Sequence, residues 1–210
     1  MVSKGRLEAF SDGVLAIAIT LLVIEIRPPT LDAGQSLASG LWDQWPSYVA
    51  YVVSLMQIGV IWLNHHRMFQ TVRAVDGTLL VLTLLLLMWV VLIPFPTAVV
   101  ADYLQDGGPD ATTAMALYSG VLLLTAISFV ALYAWITHDE RIAGTLPSRR
   151  ALRAARVRFS IGLLAYTVAF LLSWVSPALA LALAAAMALY YAFDQASIQT
   201  DEAPASLGPG

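Results

Sequence analysis

Ionisable residues inside an otherwise apolar N-terminal stretch are the first groups that could do chemistry. The segment RLEAFSDGVLAIAITLLVIEI, residues 6–26, is long enough to cross a bilayer as a helix, and it carries Glu8, Asp12 and Glu25. Its uncharged run, residues 13–24, is only 12 residues long, which places Asp12 at membrane depth or close to the membrane edge. A charge there is costly unless it faces protein or water, so Asp12 is a functional-site hypothesis, for instance as the proton or cation carrier of a secondary transporter.

The adjacent pair His65-His66 is the second candidate, as a metal or haem site or as part of an intramembrane enzyme. Neighbouring positions on a helix point about 100° apart, so the two rings cannot readily bind one ion together. The chain has no cysteine, and His138 is its only other histidine. The predicted spans beyond the first carry no charged residue. We therefore expect neither an enzyme nor a cofactor, although metal analysis would be needed to exclude the metal-binding alternative.

Composition predicts the elements that must position these groups. The chain of 210 residues is 59% hydrophobic and 12% charged, with a mean hydropathy of +0.76. Soluble domains are about 45–50% apolar and about 25% charged, so an all-α integral membrane protein is predicted. We expect one six-span domain over residues 1–195 and a disordered polar tail over 196–210. The predicted spans cover about residues 7–26, 46–64, 77–101, 111–137, 159–175 and 178–193. Pro94 and Pro96 should kink or unwind the third.

The distribution of basic residues predicts the orientation. With six spans and a cytoplasmic N-terminus, ten of the eleven Lys and Arg residues lie on the cytoplasmic side, and only Arg27 lies outside. Such an asymmetry follows the positive-inside rule, so both termini are expected in the cytoplasm of a multi-pass protein. Six of these arginines lie between residues 138 and 158, where anchoring to anionic lipid headgroups is the default interpretation.

An apolar stripe follows the first span. Ile17, Leu21 and Ile24 fall at i, i+4 and i+7, with Thr20 as the only hydroxyl beside them. This spacing is typical of a face that packs against a neighbouring helix. The alternative is a pore lining, in which copies of the stripe in an oligomer form apolar rings that gate by dewetting.

Polar residues at the end of the second span lie at the same cytoplasmic level as Asp12. Asn64, His65 and His66 are therefore plausible partners for its carboxylate. We favour a structural polar network over direct chemistry, because such a network fixes helix packing and can still set the conformation of a gate.

Three motifs carry a resemblance to a known family. They are Arg6-x-x-x-Phe10-Ser11-Asp12-Gly13, Trp62-x-Asn64-His65-His66-Arg67-x-Phe69 and Pro94-Phe95-Pro96-Thr97. Their joint occurrence resembles the signature of the transmembrane protein 175 family, the endolysosomal potassium channels of animals and their prokaryotic relatives. The resemblance covers about residues 4–195 and includes the core motifs without departure.

The resemblance implies a potassium-permeable cation channel, weakly selective over sodium, in which span 1 lines the pore of a homotetramer. It implies a main constriction at Ile17, further apolar layers at Leu21 and Ile24, and a polar position at Thr20. It also implies that a hydrogen-bonded network holds span 1 against its neighbours; its members would be Arg6, Phe10, Ser11, Asp12, Trp62, Asn64, His65 and His66. Expected partners are identical subunits, lipids of the plasma membrane and permeant potassium ions, not nucleic acid.

Overall fold

The computed structural model describes residues 2–138, 140–144 and 149–201. Within them all regular structure is helical, in agreement with the predicted all-α class. The helices are α1 (Lys4–Ile24), α2 (Leu37–Asp43), α3 (Trp45–Gln70), α4 (Gly77–Leu92), α5 (Pro94–Tyr103), α6 (Gly108–His138), α7 (Glu140–Ala143), α8 (Arg149–Leu172) and α9 (Pro177–Asp201).

Four segments among the described residues are long and apolar enough to cross a membrane. They are α1, α3, the consecutive pair α4–α5 (Gly77–Tyr103) and α6. The apolar part of α9, Pro177–Phe193, is shorter, and α8 begins with an arginine-rich stretch. Both helices pack on the bundle, α8 against α6 and α9 against α3, α6 and α8. Four spans are therefore established by length and composition, whereas the fifth and sixth stay a prediction.

The proline motif kinks the third span without unwinding it. Only Ile93 separates α4 from α5, and its φ of −52° and ψ of −42° are helical. Pro94 cannot donate to the carbonyl of Val90, which instead accepts from the Ile93 N–H at 3.1 Å. The Ile93 carbonyl accepts from both the backbone and the hydroxyl of Thr97. The bond from Ile93 satisfies the Val90 carbonyl, which Pro94 would otherwise leave unpaired, and the regular bond from Thr97 to Ile93 continues the helix past the prolines.

Several boundaries differ from the predicted ones. Helix α3 continues to Gln70, so the His65-His66 pair lies inside a helix rather than after its end. The predicted loop before it contains α2, whose N-cap Ser36 accepts from the Ser39 N–H. Helix α9 extends past the predicted domain boundary at residue 195 to Asp201, and residues 202–210 of the predicted tail lie outside the described residues.

Buried polar pairs join the helices at mid-bundle. Ser54 on α3 bonds to Thr97 on α5 at 2.8 Å and to Tyr118 on α6 at 3.0 Å. One turn further along α3, Gln57 donates to the Ala184 carbonyl of α9 and accepts from the Tyr166 hydroxyl of α8. Hydrogen bonds of this kind stabilise helix association in a membrane, where apolar side chains gain little by leaving lipid. They anchor α3, and α3 in turn supports α1.

Candidate functional site: the exposed face of helix α1 and its clasp

Helix α1 has a buried face and an exposed face on nearly opposite sides. The buried face packs toward α3 and α4 and consists of Leu7, Ser11, Leu15, Ala18 and Leu22. The predicted stripe lies on the exposed face: Ile17 is 57% exposed, Leu21 is 36% exposed and Ile24 is 67% exposed. The stripe therefore does not pack against a helix of its own subunit. What it faces must lie outside the subunit: lipid, another chain or a pore.

Thr20 lies on the same exposed side of α1. Its hydroxyl donates to the Ile17 carbonyl at 2.8 Å, so its proton is used within the helix. The oxygen of that hydroxyl keeps acceptor capacity toward the outside. At this position the stripe therefore offers a weak oxygen ligand between apolar side chains.

A clasp formed by Asp12 and Trp62 ties the N-terminal part of α1 to α3. The indole Nε1 of Trp62 donates to the Asp12 carboxylate at 3.0 Å. The Trp62 ring stacks with His66, and the rings of these residues lie 6.1 Å apart. His66 is also within hydrogen-bond distance of the Gln70 amide, at 3.3 Å. A charge-assisted hydrogen bond at the head of α1 fixes the rotation of this helix relative to α3.

Other members of the predicted network have different surroundings. The Ser11 hydroxyl donates to the Leu7 carbonyl within α1. His65 is buried and stacks on Phe69, with a centroid distance of 4.2 Å. Asn64 lines a partly open cavity of about 60 Å³ between α3, α6, α8 and α9. His65 and His66 thus lie in different environments, one buried and one exposed, which does not suit a shared metal ion.

Arg6 and Phe10 lie on the surface at the head of α1. They border a groove with Leu80 and Leu84 of α4. Both are exposed, and the described contacts do not join Arg6 to Asp12. Within one subunit the structure therefore brings together Asp12, Trp62 and His66, whereas Arg6 and Phe10 face outward.

The mid-bundle residues Gln57, Tyr118 and Tyr166 were missed by sequence reasoning. A signal was present, because an uncharged amide inside an apolar span must find a partner. Gln57 carries no charge, so it does not stand out from the apolar residues around it in the sequence. The partners of Gln57 are a hydroxyl and a carbonyl from distant segments of the chain, and they can be identified only in the folded structure.

Comparison with known proteins places this arrangement in a family. The family model described as "Endosomal/lysosomal potassium channel TMEM175" matches residues 6–94. A potassium channel of Streptomyces collinus is 44% identical over 98% of this chain and 99% of its own length. The chain belongs to the TMEM175 family.

Solved structures of TMEM175 proteins agree with this assignment. The crystal structure of a lysosomal potassium-selective channel TMEM175 homolog from Chamaesiphon minutus is 40% identical, with a TM-score of 0.81. That alignment covers 91% of this chain and 97% of the other. The TMEM175 family model spans the first two motifs and ends at Pro94, the first residue of the third, so it covers most of α1 and both residues of the clasp. The family is one of ion channels rather than enzymes.

Proposed function

We propose that this chain is the subunit of a potassium-permeable cation channel, in which α1 lines a central pore of a homotetramer. Support comes from its membership of TMEM175, from relatives named potassium channels over nearly their whole length, and from its apolar spans. The transported ion is potassium, with weak selectivity over sodium, and no resident cofactor is proposed. The transporter alternative is not favoured, because the relatives that cover the chain are named channels.

The observation that carries the pore assignment is the exposed stripe of α1. Its three apolar side chains point away from the subunit over seven residues, about 10 Å of helix. Around a fourfold axis they form three stacked rings, with Ile17 as the narrowest. Narrow apolar rings stop ions by dewetting and conduct when they widen. Thr20 adds an oxygen next to the Ile17 ring.

The clasp between Asp12 and Trp62 orients the stripe toward the pore axis. By holding Asp12 to Trp62, α3 sets which side of α1 faces the axis. The buried face of α1 is covered by apolar residues that fit the same rotation. In this proposal the clasp acts on permeation only through the position of the stripe, and it binds no permeant ion itself.

The proposed location is the plasma membrane, with both termini in the cytoplasm. The arginine-rich start of α8 then lies at the cytoplasmic surface, next to lipid headgroups. The absence of cysteine makes the topology simple to test by labelling single-cysteine variants with a membrane-impermeant reagent. A cysteine at Ala33, between α1 and α2, should react from outside intact cells, and one at Ala74 should not.

Substitution of Ile17 by asparagine tests the pore. We expect Ile17→Asn to wet the constriction and to raise potassium flux into proteoliposomes by about tenfold, which corresponds to about 1.4 kcal/mol of barrier. Selectivity for potassium over sodium should fall at the same time. The matched control is Val23→Asn, because Val23 is 55% exposed on the same helix but lies about 120° away from the stripe.

Size-exclusion chromatography first establishes that both variants assemble like the wild type. Flux through Val23→Asn should stay within about twofold of the wild type. Unchanged flux and selectivity in a correctly assembled Ile17→Asn protein would contradict the assignment of the constriction. A saturable flux with a fixed coupling ratio would contradict the channel itself.

A further inference from the structure

A groove between α6 and α8 lies away from the proposed pore helix, and none of the roles above uses it. It has a volume of about 470 Å³. Its walls come from the C-terminal end of α6 and the first half of α8, which pack against one another. The two helices run in opposite directions here, so residue 130 of α6 is level with residue 163 of α8.

The lining of this groove changes from apolar to polar along its length. Val130 and Leu163 lie toward the bundle centre, Phe159 and Ser160 lie in the middle, and Thr137, His138 and Arg156 lie toward the helix ends. From Leu163 to Arg156 is seven residues, about 10 Å along the helix. None of the described residues that line the groove has a carboxylate. A site of this kind matches a molecule with one apolar and one anionic end.

Aromatic packing gives the groove a fixed floor. The Phe159 ring lies 4.9 Å from that of Tyr133 and 6.0 Å from that of Phe129. The Arg158 guanidinium lies over the Phe159 ring, 5.8 Å from its centroid. The Tyr191 hydroxyl of α9 donates to the Arg158 carbonyl at 2.8 Å and ties this turn of α8 to the bundle. These contacts hold the apolar end open beside Leu163.

The groove opens toward side chains that suit lipid. Val157, Ile161 and Leu164 on α8 and Ile127 on α6 are exposed and apolar. Arg156 would attract a soluble acidic peptide or a free phosphate. Neither of these polar ligands would fill the apolar end of the groove. Charge complementarity and the apolar surroundings together favour an amphiphile that approaches from the bilayer.

We infer that the α6–α8 groove binds an anionic phospholipid of the cytoplasmic leaflet, with its phosphate at Arg156 and an acyl chain along Phe159 and Leu163. The inference rests on the proposed topology, which puts the start of α8 at the cytoplasmic surface. Arg156 is the positioning charge, and Thr137 on α6 and Ser160 on α8 add hydroxyl groups to the lining of the groove.

Native mass spectrometry of the assembled protein, exchanged into mixed phosphatidylglycerol and phosphatidylcholine, tests the inference. The wild type should retain phosphatidylglycerol severalfold over phosphatidylcholine. Arg156→Gln should lose most of this preference, and Leu163→Trp, which fills the apolar end, should reduce the retention of both lipids. The matched control is Arg153→Gln, because Arg153 is an exposed arginine of the same helix outside the groove lining. It should keep most of the preference.

Equal losses in Arg156→Gln and Arg153→Gln would overturn the inference, since they would show only general attraction between an arginine-rich surface and anionic lipid. Displacement of the lipid by glycerophosphoglycerol, which lacks acyl chains, or by an acidic peptide at similar concentration would also overturn it. The measurement uses no ion flux. Failure of lipid binding therefore leaves the Ile17→Asn result standing, and failure of the channel proposal leaves the lipid retention standing.

Discussion

Helices α1 and α3 are both apolar spans, yet they place their polar and apolar side chains in opposite ways. Helix α3 buries Ser54, Gln57 and His65 among the other helices of the subunit. Helix α1 exposes Ile17 and Ile24 instead. Ser54 and Gln57 form their hydrogen bonds within one subunit, and we therefore describe α3 as a scaffold. Since one face of α1 has no partner there, its role depends on what surrounds the subunit.

Exposure of the stripe is not by itself evidence for a pore, because an apolar side chain is equally at home in lipid. The further argument is the family, because relatives that cover nearly the whole chain are named potassium channels. The Trp62–Asp12 bond and the buried face of α1 hold this helix in one rotation against α3, so the stripe faces away from the subunit. The comparison therefore predicts that changes on α1 affect assembly and flux, whereas changes on α3 affect stability.

The largest effect is expected from Asp12→Ala, which removes the α1 side of the clasp. The Trp62 indole loses its acceptor, and α1 loses its fixed rotation against α3. We expect most of the protein to leave the tetramer peak in size-exclusion chromatography, with little intact channel left for flux. A stable tetramer in which only permeation is altered would contradict the structural role of Asp12.

Asp12→Asn is the matched control for that variant. The asparagine oxygen can still accept from Trp62 but cannot carry a proton or a charge. Assembly should be largely restored, and potassium flux should return with it. Restored assembly without any flux would instead favour a transporter that uses Asp12 as its carrier.

The next largest effect is expected from Gln57→Leu on α3. This change removes the bonds to the Ala184 carbonyl and the Tyr166 hydroxyl and leaves both groups buried. Interhelical hydrogen bonds in membranes average about 0.6 kcal/mol and reach about 1.7 kcal/mol, so the loss of two should cost about 1–3 kcal/mol. A lower thermal midpoint in detergent would report this, while flux per assembled channel stays near that of the wild type.

Gln70→Leu is the matched control on α3, since Gln70 is exposed at the end of the helix and its side chain contacts the exposed His66. Its cost should stay within about 0.5 kcal/mol. If Gln57→Leu left the thermal midpoint unchanged and altered flux instead, the division into a scaffold helix and a pore helix would be wrong.

Sequence alone predicted much of the fold, because the helical class and the first four apolar spans follow from composition and from runs of apolar residues. The stripe on α1 also followed from periodicity, since 3.6 residues per turn fix which side chains share a face. Periodicity could not decide whether that face is covered. The stripe is exposed because α3 and α4 pack against the other side of α1, and that packing is a property of the tertiary structure.

The polar contacts were harder to predict than the spans. Adjacent motif residues on α3 point in different directions, so Trp62 reaches Asp12 while Asn64 lines the cavity on another side. The pairing of Gln57 with Tyr166 joins residues 109 positions apart, and no local pattern encodes that distance. The prolines of the third span predict either a kink or an unwound turn. Only the backbone angles of Ile93, which are helical, distinguish these two possibilities.

The smallest effect is expected from Tyr118→Phe, which removes one of the two hydroxyl partners of Ser54. The Ser54–Thr97 bond at 2.8 Å remains, and the phenylalanine ring keeps the buried volume of the tyrosine. We expect a cost of about 0.6 kcal/mol, measured as a small fall in thermal midpoint against Tyr103→Phe, a control at an exposed site. A fall as large as that of Gln57→Leu would mean that Ser54 anchors α3 as strongly as Gln57 does. Both bonds join α3 to other helices of the same subunit, so flux through the assembled Tyr118→Phe channel should match that of the wild type.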